Sequence, residues 1–230
     1  MLHYRLHRDP RSSHQQILRL VRRLGRGPIL DVGAAQGILG QLLHEAGVQV
    51  EIDAVEPNPV WAEHAQPFYR RVQARIIEEA DLPDGTYNTV VCADVLEHLP
   101  DPVGALKRLR QAATDDATFI ISVPNVAHLA VRLLLLFGRF PRMERGILDR
   151  THLQFFTRDT AAAMLRDAGL EAVRISATGI PLDELWPAGE GSRPYAALTR
   201  LQHLALALAP RLFGFQWVIT ARVCSGDRRA

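Results

Sequence analysis

The chain has 230 residues, 47% hydrophobic and 23% charged, which suits one large α/β domain able to bury a full core, with appended segments. Its formal net charge is only +2, and the basic residues, nearly all Arg, are scattered over 5–26, 70–75 and 139–150, so nucleic acid is not indicated as the main partner. Cys92 and Cys224 make neither a disulfide framework nor a metal motif, which points to a reducing cytoplasm.

Met1-Leu2-His3-Tyr4-Arg5 lacks the apolar core of a signal peptide, and the run Leu133 to Phe137 is far too short to span a bilayer. The expectation is a soluble cytoplasmic protein, monomer or homodimer, with peripheral membrane contact left open. Ser13-His14-Gln15-Gln16 has capping-box form, and Ile17, Leu20, Val21 and Leu24 follow at helical spacing before Gly25, giving a helical segment within 1–27. Apolar runs then alternate with helical segments: strand 28–32, helix 36–46, strand 49–55, helix 59–71 opened by Asn58-Pro59, and a short strand near 75–79. Asp84-Gly85 turns into a strand over 89–93, Asp101-Pro102 opens a helix, and 118–123 is a fifth strand. Thr157 caps a helix over 161–168 that Gly169 ends, and 170–177 and 216–223 supply two last strands. The fold class is α/β: a Rossmann-like, seven-stranded, mostly parallel sheet with helices on both faces.

Two inserts interrupt this pattern, 125–156 and 180–210. Segment 129–137 is apolar nearly all round and reads as a helix covered on more than one side, while Leu198, Leu201, Leu204, Ala205 and Leu208 share one helix face. These leucines read first as core or interface, and otherwise as a greeting surface for a lipidic or aromatic acceptor. Inserts leaving the carboxyl edge of such a sheet form a helical cap on the substrate side of the cleft.

The stretch Pro28 to Gly37, an apolar strand entering a small-residue turn, pairs with Glu56 at the end of the next strand. Together they read as a nucleoside site, in which the Glu56 carboxylate accepts both ribose hydroxyls. Gly33, Gly37 and Gly40 do not have the Gly-x-Gly-x-x-Gly spacing of a pyrophosphate cradle.

Asp31-Val32-Gly33-Ala34-Ala35-Gln36-Gly37 resembles the Asp-x-Gly-x-Gly-x-Gly loop of the class I S-adenosylmethionine-dependent methyltransferases. Val55-Glu56-Pro57-Asn58, Leu82 to Val91 and Asp94-Val95-Leu96-Glu97-His98-Leu99 are similar to its later motifs, in order, over roughly 28–170. The resemblance implies S-adenosyl-L-methionine as cofactor. By the same resemblance Gly33, Ala34, Ala35, Gln36 and Gly37 pack against its methionine part, Glu56 holds the ribose, and Asp31 and Pro57 belong to the same cofactor site. Glu78, Glu79 and Ala80 would face the adenine, while backbone around Ala93 and Asp94 would meet the methionine amino group, with His98 beside the cofactor. Two departures stand out. Ala35 replaces the middle glycine, adding a methyl that is costly if φ is positive there, and Asn88 replaces a common Asp. Segments 123–128 and 146–157 are similar to a bacterial subgroup with varied substrates, which sharpens the family and not the substrate; the expected acceptor is a small molecule, a glycan or a lipid precursor, methylated at oxygen.

Methyl transfer from a sulfonium needs alignment above all, and a base when the nucleophile is a hydroxyl. His152, just after the first insert, is the leading candidate base and His98 the second; the plainer reading, which the sequence favours for both imidazoles, is a hydrogen bond to a loop. His128 and His203 read as packing residues in apolar helices, and Asp149-Arg150 as either a substrate-orienting or a loop-fixing pair. No metal site is expected. The alternatives are an NAD-dependent oxidoreductase, argued from the strand, turn and Glu56 alone, and a catalytically silent cofactor-binding partner module.

Overall fold

The computed structural model describes residues 9–224; Met1 to Arg5 lie outside them. The strands are β1 (Ile29–Val32), β2 (Ile52–Val55), β3 (Arg71–Gln73), β4 (Tyr87–Ala93), β5 (Ala113–Pro124), β6 (Leu170–Ala177) and β7 (Gln216–Val223). They form one seven-stranded sheet in the order β3-β2-β1-β4-β5-β7-β6. Only β7 runs antiparallel to its neighbours. All four residues of β1 and of β2 are buried, as expected of parallel strands covered on both faces.

The helices are α1 (Ser13–Leu24), α2 (Ile38–Glu45), α3 (Pro59–Ala65), α4 (Pro102–Ala112), α5 (Leu129–Leu136), α6 (Arg158–Asp167), α7 (Leu182–Leu185), α8 (Arg193–Leu208) and α9 (Pro210–Phe213). The period-2 alternation of the strands divides the core. Leu30, Val32, Phe119 and Ile121 join Leu106 and Leu109 of α4 and Leu165 of α6 on one face. Ile29 and Ile120 join Ile17 and Val21 of α1, Leu43 of α2 and Ala65 of α3 on the other.

Several boundaries differ from the sequence expectations. The cap of α1 is Ser12, which accepts the Gln15 N–H, while Gln16 donates through Nε2 to the carbonyls of Arg11 and Ala177. The α-helix begun at Pro59 stops at Ala65, where Pro67 cannot donate the next helical N–H, and continues as a 3₁₀ turn over Gln66–Phe68. The third strand is not at 75–79 but at 71–73. The Arg70 guanidinium clamps both oxygens of Asp53 at 2.9 and 2.7 Å beside the start of β3. Ile77–Glu79 is a 3₁₀ turn that buries Ile77 in the core. Thr157 does cap α6, in a reciprocal box with Thr160.

The apolar helices differ most. Within α5 only Val131 is buried, whereas Leu133, Leu135, Leu136 and Phe137 are exposed, the last two by 74% and 75%. On α8, Leu198, Leu201, Leu204 and Leu208 are exposed and only Leu206 is buried. These leucines are therefore not core. Periodicity identifies an apolar stripe but not whether anything packs on it. No helix among the described residues is long and apolar enough to cross a membrane.

Candidate functional site

A cavity of about 1130 Å³ opens at the carboxyl ends of β1, β2 and β4. β1 and β4 are neighbours, while chain order runs away from them in both directions, so this is the crevice where doubly wound sheets take ligands. Its walls come from the turn after β1, the ends of β2 and β4, His14 and Ile17 of α1, residues 144–146 and 149–152, and Ile180 and Asp183.

Glu56 is buried at the end of β2. One of its oxygens accepts the Ala35 N–H at 2.8 Å and the other the Asn58 N–H at 2.9 Å. A carboxylate offers about four acceptor positions, so one remains on each oxygen, enough for a vicinal diol. Asp31 is also buried and accepts the Tyr69 hydroxyl at 2.6 Å. Burial pushes its carboxyl up to about 7; the Tyr69 hydrogen bond opposes this and the Glu56 charge adds to it.

Gly33 has φ +70°, and a Cβ there would stand 2.5 Å from the Val95 side chain. Gly37, at φ +87°, meets the backbone of Ala65 rather than the cavity. Ala35, between them, does take a positive φ, +47°. The left-handed region costs an L-residue roughly 1–2 kcal/mol, part of which glycine returns through its greater unfolded freedom. Ala35→Gly is therefore expected to stabilise the protein by about 0.5–1 kcal/mol, read as a higher urea midpoint at unchanged slope.

Across the cavity, Asp94 holds φ +55°, its carboxylate accepting Ser122 Oγ at 2.6 Å and Gln216 Nε2 at 2.9 Å. The chain then forms a 3₁₀ turn over Leu96–His98. The Glu97 carbonyl accepts the N–H groups of Leu153 and Gln154 at 2.8 and 3.0 Å, which draws His152 to this turn. Arg142 secures the same loop by donating to the carbonyls of Arg150 and His152. His98 and His152 meet edge to face, ring centroids 4.8 Å apart. His152 is buried, its Nδ1 is 3.1 Å from the Ile147 carbonyl, and its pKa is lowered, chiefly by burial. Glu97 is pushed well above the carboxylate range by burial and then by the Asp94 charge.

The profile of the methyltransferase domain family matches residues 3–175. The chain belongs to that family. The methyltransferase is 26% identical over 189 residues to a ubiquinone biosynthesis O-methyltransferase of Xanthomonas euvesicatoria pv. vesicatoria, covering 79% of this chain and 76% of the relative. Its fold is similar to a solved S-adenosylmethionine-dependent methyltransferase from Archaeoglobus fulgidus, at TM-score 0.60 and 20% identity over 92% of this chain and 94% of that one. It is also similar to the 1,6-didemethyltoxoflavin-N1-methyltransferase of Burkholderia thailandensis, solved with S-adenosylhomocysteine, at TM-score 0.59 and 21% identity over 94% and 80% of the two chains. The chain is a class I enzyme that transfers a methyl group from S-adenosyl-L-methionine. The oxidoreductase and catalytically silent readings fall with that assignment. The residues present fit the cofactor: Glu56 keeps its diol-accepting positions, and the cavity has room for a nucleoside and an acceptor.

Of the residues expected at the methyltransferase's cofactor, Asp31, Gly33, Ala34, Ala35, Glu56, Pro57, Glu78, Ala93, Asp94 and His98 line the cavity, as does His152. Gln36, Gly37, Glu79 and Ala80 do not; Ile76 and Ile77 stand on the wall beside Glu78 instead. His128 is not inside a helix but caps α5, accepting the Ala130 N–H at 3.2 Å. His203, within α8, faces Asp9 at 3.5 Å. Asp149 and Arg150 both line the cavity, but Asp149 is engaged by the Thr151 N–H and hydroxyl and Arg150 pairs with Glu144. Glu97 was passed over, although an acidic residue next to His98 was the available signal.

Proposed function

We propose that the methyltransferase acts on a hydroxyl oxygen of a small molecule, a glycan or a lipid precursor. The observation that carries this reading is His152, a neutral imidazole on the cavity wall whose Nδ1–H donates to the Ile147 carbonyl and leaves Nε2 free to accept a proton. The ubiquinone biosynthesis O-methyltransferases among its relatives favour oxygen as well.

The cofactor supplies an electrophilic methyl group, and the chain's part is alignment and proton acceptance. Glu56 holds the ribose, the turn at Gly33 to Ala35 borders the methionine part, and Ile76 to Glu78 border the adenine. Residues 1–230 act as one methyltransferase domain. Its helix α1 (Ser13–Leu24), the described part of the segment 1–27, and inserts 125–156 and 180–210 close the substrate side, a reading supported by His14, Arg145 and Ile180 lining one cavity. Work in the cytoplasm is supported by the free thiols of Cys92 and Cys224, and contact with a lipid surface, where the acceptor is lipidic, by the exposed apolar end of α5 with Arg132 and Arg139 nearby.

The test is transfer of a labelled methyl group to matched panels of phenols, alcohols and amines, with products identified by mass spectrometry. Label is expected in methyl ethers, at a rate cut about 10²–10⁴-fold by His152→Ala if it acts as the base. Label found only on nitrogen or carbon would sink the oxygen reading.

A further inference from the structure

Glu97, His98 and His152 converge at one corner of the cavity, with one potential ligand atom from each within 4.8 Å of the others. Glu97 is 1% exposed, and neither of its carboxylate oxygens has a hydrogen-bond partner. Buried polar atoms are almost always paired, so an orphaned carboxylate facing a cavity calls for an occupant.

The imidazoles are oriented to match. His98 Nδ1 lies 3.3 Å from the Thr151 carbonyl and His152 Nδ1 lies 3.1 Å from the Ile147 carbonyl. A carbonyl only accepts, so each proton sits on Nδ1 and each lone pair on Nε2. Metal-binding histidines are held in this way, by a carbonyl or carboxylate behind the ring.

We propose that Glu97, His98 and His152 bind a divalent metal ion. One carboxylate and two imidazoles suit zinc, manganese, cobalt or iron(II) better than calcium, which prefers oxygen ligands throughout. Three protein ligands leave coordination positions open toward the cavity. Asp94 and Asp149 add negative charge around the site, but Ser122 with Gln216 and Thr151 respectively already engage them. The ion takes the His152 lone pair, which recasts His152 from proton acceptor to ligand. An acceptor hydroxyl that completes the coordination would give up its proton more readily, to water in the open cavity, before its oxygen takes the methyl group; this step rests on the oxygen-acceptor reading, whereas metal binding does not.

The experiment is calorimetric titration of tag-free, chelator-stripped protein with Zn²⁺ and with Mn²⁺. One ion per chain is expected, with affinity reduced about a hundredfold or more by Glu97→Gln and by His152→Ala. Glu97→Gln puts a neutral isostere in place of the orphaned carboxylate, so it should fold, and circular dichroism melts check this. No binding, or binding that survives both substitutions in folded protein, overturns the metal site and leaves His152 in its proton-accepting role. Turnover of hydroxyl acceptors, followed with and without metal, is a separate readout, so failure of the metal site is distinguishable from failure of the oxygen reading.

Discussion

Glu56→Ala is expected to raise the dissociation constant for S-adenosylmethionine by about a hundredfold. In the proposed binding mode the carboxylate accepts two ribose hydroxyls, and each hydrogen bond to a charged group contributes about 1.5–3 kcal/mol. Losing one such bond fully and the other partly reaches about 3 kcal/mol, which is roughly a hundredfold. The same substitution also releases the N–H groups of Ala35 and Asn58, the first of which pins a residue at φ +47°. The ligand-free variant should therefore melt lower as well. Affinity must be read by titration well below its melting temperature, because a melting shift alone mixes the two effects. An affinity within about threefold of the parent would place the ribose elsewhere.

Asp31→Asn is expected to remove a pH dependence of stability worth about 4 kcal/mol. The Asp31 carboxyl stands near 7 when folded, against 3.8 for an aspartate free in water. Between those values the folded protein keeps the proton and the unfolded chain does not, so stability falls as pH rises. The difference is about three pH units at 1.36 kcal/mol each; below about pH 4 and above about pH 7 it adds no further slope. Asparagine retains an oxygen for the Tyr69 hydroxyl without carrying charge. Denaturant unfolding of ligand-free protein at pH 4, 5.5, 7 and 8 should show the variant gaining on the parent up to pH 7 and tracking it in parallel beyond. Tyr69→Phe removes the bond that lowers Asp31, and should extend the upper edge of the window while its lower edge, set by the unfolded chain, stays in place. Parallel stability curves for parent and Asp31→Asn across the whole range would show that Asp31 titrates normally.

The parts legible in the sequence were those governed by local rules. Alternation and turn residues located six of the seven strands, and Pro59, Pro102 and Thr157 located helix starts, because capping and apolar periodicity act over a few neighbouring residues. The third strand was missed because Ile76-Ile77 carries a stronger β signal than Arg71-Val72-Gln73. The latter becomes a strand beside β2, with Arg70 bound to Asp53 next to it. The Glu56 carboxylate and the turn after β1 were legible for another reason: the crossover that joins the two strands brings them together in any doubly wound sheet.

By itself the sequence determined the α/β class, the position of the crevice at the carboxyl ends of β1 and β2 and the family, since these follow from motif order and from contacts between neighbouring elements. Only the tertiary structure decided that the leucines of α5 and α8 face outward, that Asp31 is buried against Tyr69, and that His152 returns to stand beside Glu97 and His98. The physical reason is that burial and pairing across long stretches of chain depend on what packs opposite a residue. The bonds from Leu153 and Gln154 to the Glu97 carbonyl, which gather the histidines, use backbone groups that carry no signature in the sequence.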